Sequence, residues 1–187
     1  MTTEDETLWP MDSELETLAM LGSTIAERYK TERLLGEGGM GTVYLASDQL
    51  LGRHVAIKMM KAVSGQSSGR FLREARSLAR LTHPNIVTLY DYGWHGEKAY
   101  LVMEYATGVS LRDMLEDNTK AAADPDKNLT ISTALDIAVA VARALSYAHR
   151  KGVIHRDIKP GNIMVARDGE PVILDFGLAR DEEGTGH

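Results

Sequence analysis

The chain has 187 residues, 43% of them hydrophobic and 26% charged, a balance that supplies a packed core and argues against a disordered chain. It contains no cysteine, which excludes disulfide staples, cysteine-ligated zinc and thiol catalysis and fits a reducing compartment. The formal charge of −6 is local: residues 1–20 hold six acids and no Lys or Arg, so the other 167 residues carry 21 charges of each sign, without the basic excess of a nucleic-acid binder.

In chain order, residues 1–10 read as a solvated acidic tail ending in Trp9-Pro10, the opposite of a basic export signal. A short helix follows, capped by Asp12 or Ser13, with Leu15 and Leu18 on one face and Gly22 as its stop. Strands are expected at 30–36, 42–47 and 53–60, the first two flanking a Gly-rich turn, and 63–69 is a Ser/Gly loop. Residues 70–81 form a helix with Phe71, Ala75 and Leu78 on one side and Arg70, Arg73, Arg76 and Arg80 opposite. Glu74 lies near the apolar side, where a carboxylate is costly unless a cation meets it or it reaches solvent at the helix edge.

Two more strands are expected at 86–92 and 99–104, then a helix at 110–117 and a polar linker at 118–128. The longest helix spans 130–150, with Ile131, Leu135, Ala138, Ala142 and Leu145 at helical spacing and Gly152 ending it. Asp136 and Arg143 interrupt its apolar run, so no membrane span is expected. After Val153-Ile154 and a polar loop come two short strands joined by the hairpin signal Arg167-Asp168-Gly169-Glu170. The expected fold class is α+β: a five-stranded antiparallel sheet with one helix, followed by a mainly helical part.

Four motifs carry chemistry. Gly36-Glu37-Gly38-Gly39-Met40-Gly41-Thr42-Val43 fits G-x-G-x-x-G-x-V, in which glycines let backbone close over phosphates; alone, it also fits a plain hairpin turn. It runs into a strand, whereas a dinucleotide fingerprint opens a helix. Val55-Ala56-Ile57-Lys58 sets a lysine inside an apolar strand, and an ion pair with Glu74 would explain both charges while leaving Lys58 to hold nucleotide phosphates. His155-Arg156-Asp157-Ile158-Lys159-Pro160-Gly161-Asn162 fits H-R-D-x-x-x-x-N and gathers a carboxylate, an ammonium and an amide on one loop. Asp157 can accept a hydroxyl proton, Lys159 can neutralise a γ-phosphate and Asn162 can ligate Mg²⁺. Asp175-Phe176-Gly177 ends an apolar strand with a carboxylate suited to a hard cation.

In this order and on these elements, the four motifs resemble those of the eukaryotic-like protein kinases. The Asp157–Asn162 stretch resembles the serine/threonine members, and the Gly-rich loop the bacterial ones. The resemblance implies a kinase domain over 29–187 behind an acidic extension at 1–28, with an N-terminal lobe at 29–104 and a partial C-terminal lobe at 105–187. It implies ATP and Mg²⁺ as ligands and serine/threonine protein phosphorylation in the cytoplasm, with a protein substrate as partner and no nucleic acid.

Val43 and Ala56 would roof the adenine, Met164 would floor it, and Met103 would be the gatekeeper. Glu104 and Ala106 would be the hinge, and Ser110 would touch the ribose. Gly36, Gly38, Gly39 and Gly41 would cover the phosphates, with Lys58, Asp157 and Lys159 catalytic and Asn162 and Asp175 on the metal. Leu78, Leu89, His155 and Phe176 would stack, giving His155 a structural role. Only ten residues follow Gly177, so the substrate platform of such kinases is missing here, and turnover by these 187 residues alone is not expected. The alternative is a catalytically silent kinase-like module that binds nucleotide or a partner.

Overall fold

A computed structural model describes residues 12–39, 41–61, 66–120 and 129–176; the acidic tail, most of the linker at 118–128, Met40 and Gly177 with all that follows it lie outside them. The N-terminal lobe is an antiparallel sheet in the order β1-β2-β3-β4-β6-β5. Its strands are β1 (Thr24–Ile25), β2 (Tyr29–Gly38), β3 (Gly41–Asp48), β4 (Arg53–Met60), β5 (Leu89–His95) and β6 (Lys98–Glu104). Helix α2 (Gln66–Leu78) packs on one face. The sheet has six strands, one more than expected, because Thr24–Ile25 pairs with Tyr29–Lys30.

Strand β4 is buried on both faces, so it reads as a continuous apolar run rather than an alternation. Register assigns its two faces. Val43 pairs with Lys58, Leu45 with Ala56, and Ala56 with Met103, which puts these side chains on the α2 side. Tyr44, Ala46, Val55, Ile57 and Val102 point the other way into a second cluster. That outer cluster is covered by the segment before the sheet. Helix α1 (Asp12–Ala19) offers the Thr17 carbonyl to the Tyr44 hydroxyl at 3.1 Å, and Met20 and Leu21 pack beside it. Among the described side chains of α1, Thr17 is buried, whereas Leu15 and Leu18, which the sequence places on one face, are 50% and 59% exposed.

Strand β5 starts at Leu89, three residues later than expected. Ile86 and Val87 are apolar for another reason: they run beside Ile173, with Val87 N–H donating to the Ile173 carbonyl, and so tie the two lobes together. Helix α2 begins earlier and ends at Leu78, where Arg80 and Leu81 N–H donate to Ser77 and Leu78 carbonyls in a tightened last turn. Phe71 and Ala75 are buried as expected.

The second lobe has β7 (Val109–Ser110), β8 (Ile163–Val165) and β9 (Pro171–Ile173) as a three-stranded sheet, with α3 (Leu111–Lys120) and α4 (Ile131–Arg150). Thr130 caps α4 through the Thr133 N–H. The buried stripe of α4 is Ile137, Val141, Ala144 and Ala148, not the predicted one; Ile131 and Leu135 are 82% and 60% exposed. This helix is apolar on two sides, so periodicity alone does not choose the core face. By length and composition alone it is also long and apolar enough to cross a membrane, a test that a core helix passes too, and one of its faces sits in the lobe core.

One ionic network locks the far end of the sheet. Asp48, fully buried, receives both Arg28 Nε and Nη2 at 2.7 Å and the Leu50 and Leu51 N–H groups. The Arg28 bonds hold its carboxyl down from 3.8 to about 2, against a burial penalty that pushes it up. A depressed carboxylate contributes stability above its unfolded pKa and loses it as pH falls through the folded one. Acid unfolding should therefore contain a component between pH 3.8 and about 2 that Asp48→Asn removes, at a cost near neutrality of about 1–3 kcal/mol. Unfolding curves against pH for both chains test this, and identical acid limbs would refute it.

Candidate active site

The Gly-rich motif forms the β2–β3 hairpin, with Gly36 opposite Val43 and Gly38 opposite Gly41. Its glycines are not equivalent. A Cβ on Gly36, Gly38 or Gly39 would meet nothing within 4 Å among the described residues, so packing does not demand glycine there. Gly41 has φ +151°, and a Cβ would lie 2.1 Å from the Met59 carbonyl oxygen. Gly41→Ala should lower stability by about 1–3 kcal/mol, whereas Gly39→Ala should leave the melting temperature nearly unchanged. Equal melting temperatures for the two variants would contradict this.

Lys58 is 5% exposed on the α2 side of β4. Its partner is not Glu74, as expected, but Asp175, with Nζ to Oδ1 at 2.7 Å. Glu74 stands instead 3.9 Å from Arg156. The physical reason is reach: a single ammonium in an apolar strand is satisfied by the nearest carboxylate, and Asp175 is brought there by the Ile86–Ile173 bridge between lobes. Asp175 and Arg156 both have left-handed backbone, φ +49° and +64°, a conformation that costs a non-glycine residue energy and concentrates at functional sites.

The loop after α4 is anchored by Val153 on one side and Ile163 on the other, both buried, while Ile154 is exposed. Asp157 Oδ2 accepts from Lys159 Nζ at 2.7 Å and from Asn162 Nδ2 at 3.2 Å, and Asn162 Nδ2 also donates to the Asp157 carbonyl at 2.8 Å. Leu174 N–H donates to the Asn162 carbonyl at 2.8 Å, joining this loop to the strand end that carries Asp175. The expected carboxylates, ammoniums and amide thus meet at one place.

His155 is 2% exposed. Its Nε2 lies 2.7 Å from the Leu174 carbonyl, and Nδ1 accepts the Asp157 N–H at 3.3 Å, which sets the proton on Nε2. Burial pushes its pKa below the ordinary value, against the raising effect of the Leu174 carbonyl, so the ring is neutral at pH 7. It packs on Phe176 with centroids 4.6 Å apart. Leu78, Leu89 and Phe176 border one small cavity and His155 packs on Phe176, so the four side chains expected to stack are neighbours.

Ala56 and Met103 are paired across β4 and β6, and Met164 pairs with Ser110 across β7 and β8. The Glu104 N–H is taken by the Thr88 carbonyl at 2.9 Å, and Ala106 follows in the irregular segment between β6 and β7. The Ser110 hydroxyl donates to Asp113 Oδ2 and accepts the Asp113 N–H, so it caps α3.

No group of three or more His, Cys, Asp or Glu among the described residues could hold a metal. The donors that Mg²⁺ needs are nonetheless suitable. Among the described residues, Asn162 spends its side-chain nitrogen on Asp157, which leaves its side-chain oxygen to coordinate, and Asp175 bonds Lys58 through Oδ1, which leaves Oδ2. One carboxylate, one amide oxygen, waters and substrate phosphates are the usual Mg²⁺ shell.

The family described as "Protein kinase domain" matches residues 29–187. The chain belongs to the protein kinase family. Among its relatives, the serine/threonine-protein kinase PknA of Mycobacterium tuberculosis is 40% identical over 168 residues, covering 86% of this chain and 37% of PknA. PrkC of Bacillus subtilis is 39% identical over 163 residues, covering 86% of this chain and 24% of PrkC. The crystal structure of the M. tuberculosis PknI kinase domain superposes with a TM-score of 0.70 at 32% identity, covering 85% of this chain and 63% of that one. PpkA-294 in its apo form gives 0.71 at 27% identity. The chain thus spans about a quarter to a little over a third of those curated relatives. Protein kinases as a family use ATP and Mg²⁺.

Sequence reasoning missed two ion pairs of this region, Lys58 with Asp175 and Glu74 with Arg156. The signal for the second was present: Arg156 is a cation next to Asp157, and α2 carries a single acid.

Proposed function

We propose that this chain is the ATP-binding and phosphoryl-transfer part of a cytoplasmic serine/threonine protein kinase. The observation that carries the reading is the convergence of Lys58, Asp157, Lys159, Asn162 and Asp175 through direct and one-step hydrogen bonds. ATP lies with its adenine between Val43 and Ala56 above and Met164 below, its edge toward Glu104 and Ala106, and its phosphates under Gly36, Gly38 and Gly39. Met103 bounds the back of this space. Lys58 holds the α- and β-phosphates, sharing its charge with Asp175.

Asn162 and Asp175 would hold Mg²⁺, which would supply charge neutralisation at the phosphates. The hydroxyl of a protein serine or threonine donates its proton toward Asp157, while Lys159 offsets charge on the γ-phosphate. His155 stays neutral and sets the position of the Asp157 backbone. Residues 1–28 are an extension to the domain at 29–187, with the lobes meeting near 104. The Glu74–Arg156 pair describes a resting arrangement in which Lys58 has one carboxylate partner.

A ligand that binds only the folded state stabilises it by mass action, about 2.7 kcal/mol at 100 times Kd. Mg²⁺-ATP should therefore raise the melting temperature of this chain by several degrees, and Lys58→Met should abolish most of the rise. Saturating Mg²⁺-ATP without any shift in a folded chain overturns the proposal.

A further inference from the structure

An open recess of about 760 Å³ lies between the exposed face of α4 and the segment that follows α2. Val139, Arg143, Ser146, Tyr147 and Arg150 line it from the helix, and His83 lines it from the other side. The helical residues recur at three- and four-residue spacing, so they share one face. None of them belongs to the phosphoryl-transfer site.

The polar lining is built of donors. The Tyr147 hydroxyl accepts the Thr82 N–H at 3.1 Å, which leaves its own proton for an acceptor in the recess. His83 Nδ1 accepts the Asn85 N–H at 3.0 Å, which sets the ring proton on Nε2. The two rings pack together with centroids 5.3 Å apart, so each holds the other in place. Arg150 spends one N–H on Ser146 Oγ at 2.8 Å. Among the described residues, no carboxylate stands within ion-pair distance of Arg143 or Arg150. Lys151 adds a further cation, with Nζ 5.9 Å from the centre of the Tyr147 ring.

Helix polarity accounts for only part of this charge. Arg150 sits in the last turn of α4, where a cation offsets the partial negative charge of the helix end. Arg143 lies about two turns earlier, out of reach of that end. The single acid of α4, Asp136, stands as far again before Arg143 and is not part of the lining.

We propose that this recess binds a phosphomonoester dianion, gripped by the Arg143 and Arg150 guanidiniums, with His83 Nε2–H and the Tyr147 hydroxyl as further donors. A carboxylate presents two coplanar oxygens, which one guanidinium already satisfies. A phosphate ester brings nearly two charges and three strong acceptor oxygens, enough to engage both guanidiniums and the two ring donors. Val139, 47% exposed, gives the recess an apolar flank against which the carbon side of the ester packs. The site is independent of the phosphoryl-transfer reading, since it uses neither Lys58 nor the loop of Asp157.

Calorimetric titration of the full 187-residue chain with N-acetyl-phosphothreonine amide tests this, beside inorganic phosphate and N-acetyl-glutamate amide. The phosphothreonine compound should bind at least tenfold more tightly than the glutamate compound. Arg143→Gln and Arg150→Gln should each weaken it about tenfold, and Tyr147→Phe about threefold, at the melting temperature of the parent chain. Tighter binding of the phosphothreonine compound than of inorganic phosphate supports a phosphorylated side chain as the source. Equal binding of those two supports the dianion site and overturns the packing of an ester on Val139. No binding up to about 10 mM, equal affinity for the glutamate compound, or affinity unchanged in both arginine variants overturns the proposal.

Discussion

Replacing Asp157 with alanine should lower kcat for phosphoryl transfer by about 10²–10⁴-fold, with ATP affinity changed by no more than about twofold. The argument is geometric. The Asp157 carboxylate accepts from Lys159 and Asn162 on one oxygen, its backbone N–H is held by His155, and its backbone carbonyl takes a second bond from Asn162. None of these contacts is with the glycine-rich hairpin or with Lys58, so the nucleotide keeps its cradle when the carboxylate is removed. What is lost is the acceptor for the substrate hydroxyl. Asp157→Asn preserves the shape and still removes the basicity, so it should behave like alanine. The assay is single-turnover transfer from labelled ATP by a full-length kinase domain carrying these residues. Equal losses in kcat and in ATP affinity would mean that Asp157 binds nucleotide and is not the proton acceptor.

Asp175→Ala should act on a different quantity. Lys58 is nearly buried in an apolar strand, and Asp175 is its ion-pair partner among the described residues, at 2.7 Å. Removing one member of a buried pair leaves the other charged and poorly solvated, a loss of about 3–5 kcal/mol when both are fully enclosed. The Asp175 side chain is a third exposed, so water screens part of the loss and about 2 kcal/mol is expected. The same substitution removes a Mg²⁺ donor, so Mg²⁺-ATP should bind at least tenfold more weakly. Asp175→Asn restores shape without charge and separates the two effects: it should recover part of the stability and little of the affinity. Urea unfolding and calorimetric titration read them independently. A full recovery of Mg²⁺-ATP affinity in Asp175→Asn would count against a metal-facing role.

Much of this site was legible because its residues conflict with their surroundings. Lys58 stood out as a charge in an apolar strand, Asp157 as a carboxylate between a cation and an amide on a short loop, and Asp175 as an acid ending an apolar run. The partner of Lys58 was not legible. Glu74 satisfied the local logic of a helix face, while Asp175 lies 117 residues away and reaches Lys58 only once the lobes are joined. Burial was misjudged wherever a segment had two apolar options. In α4, the stripe through Ile137 and Val141 and the stripe through Ile131 and Leu135 have equal periodicity, and only the neighbours decide. Ile86 and Val87 look like the start of a strand, yet they form the strap between lobes. Ser110, which the resemblance set at the ribose, has a local partner that the spacing to Asp113 already announced: its hydroxyl closes a helix cap.

The central claim is that Lys58 and Asp175, brought together from two lobes, act as one unit on the nucleotide. The most direct measurement is a double-mutant cycle in Mg²⁺-ATP affinity, by calorimetric titration of the parent chain, Lys58→Met, Asp175→Ala and the double variant. If the account holds, each single variant weakens binding at least tenfold and the double variant is little worse than the weaker single. Losses that add fully, or Mg²⁺-ATP affinity unchanged in either single variant, would contradict it.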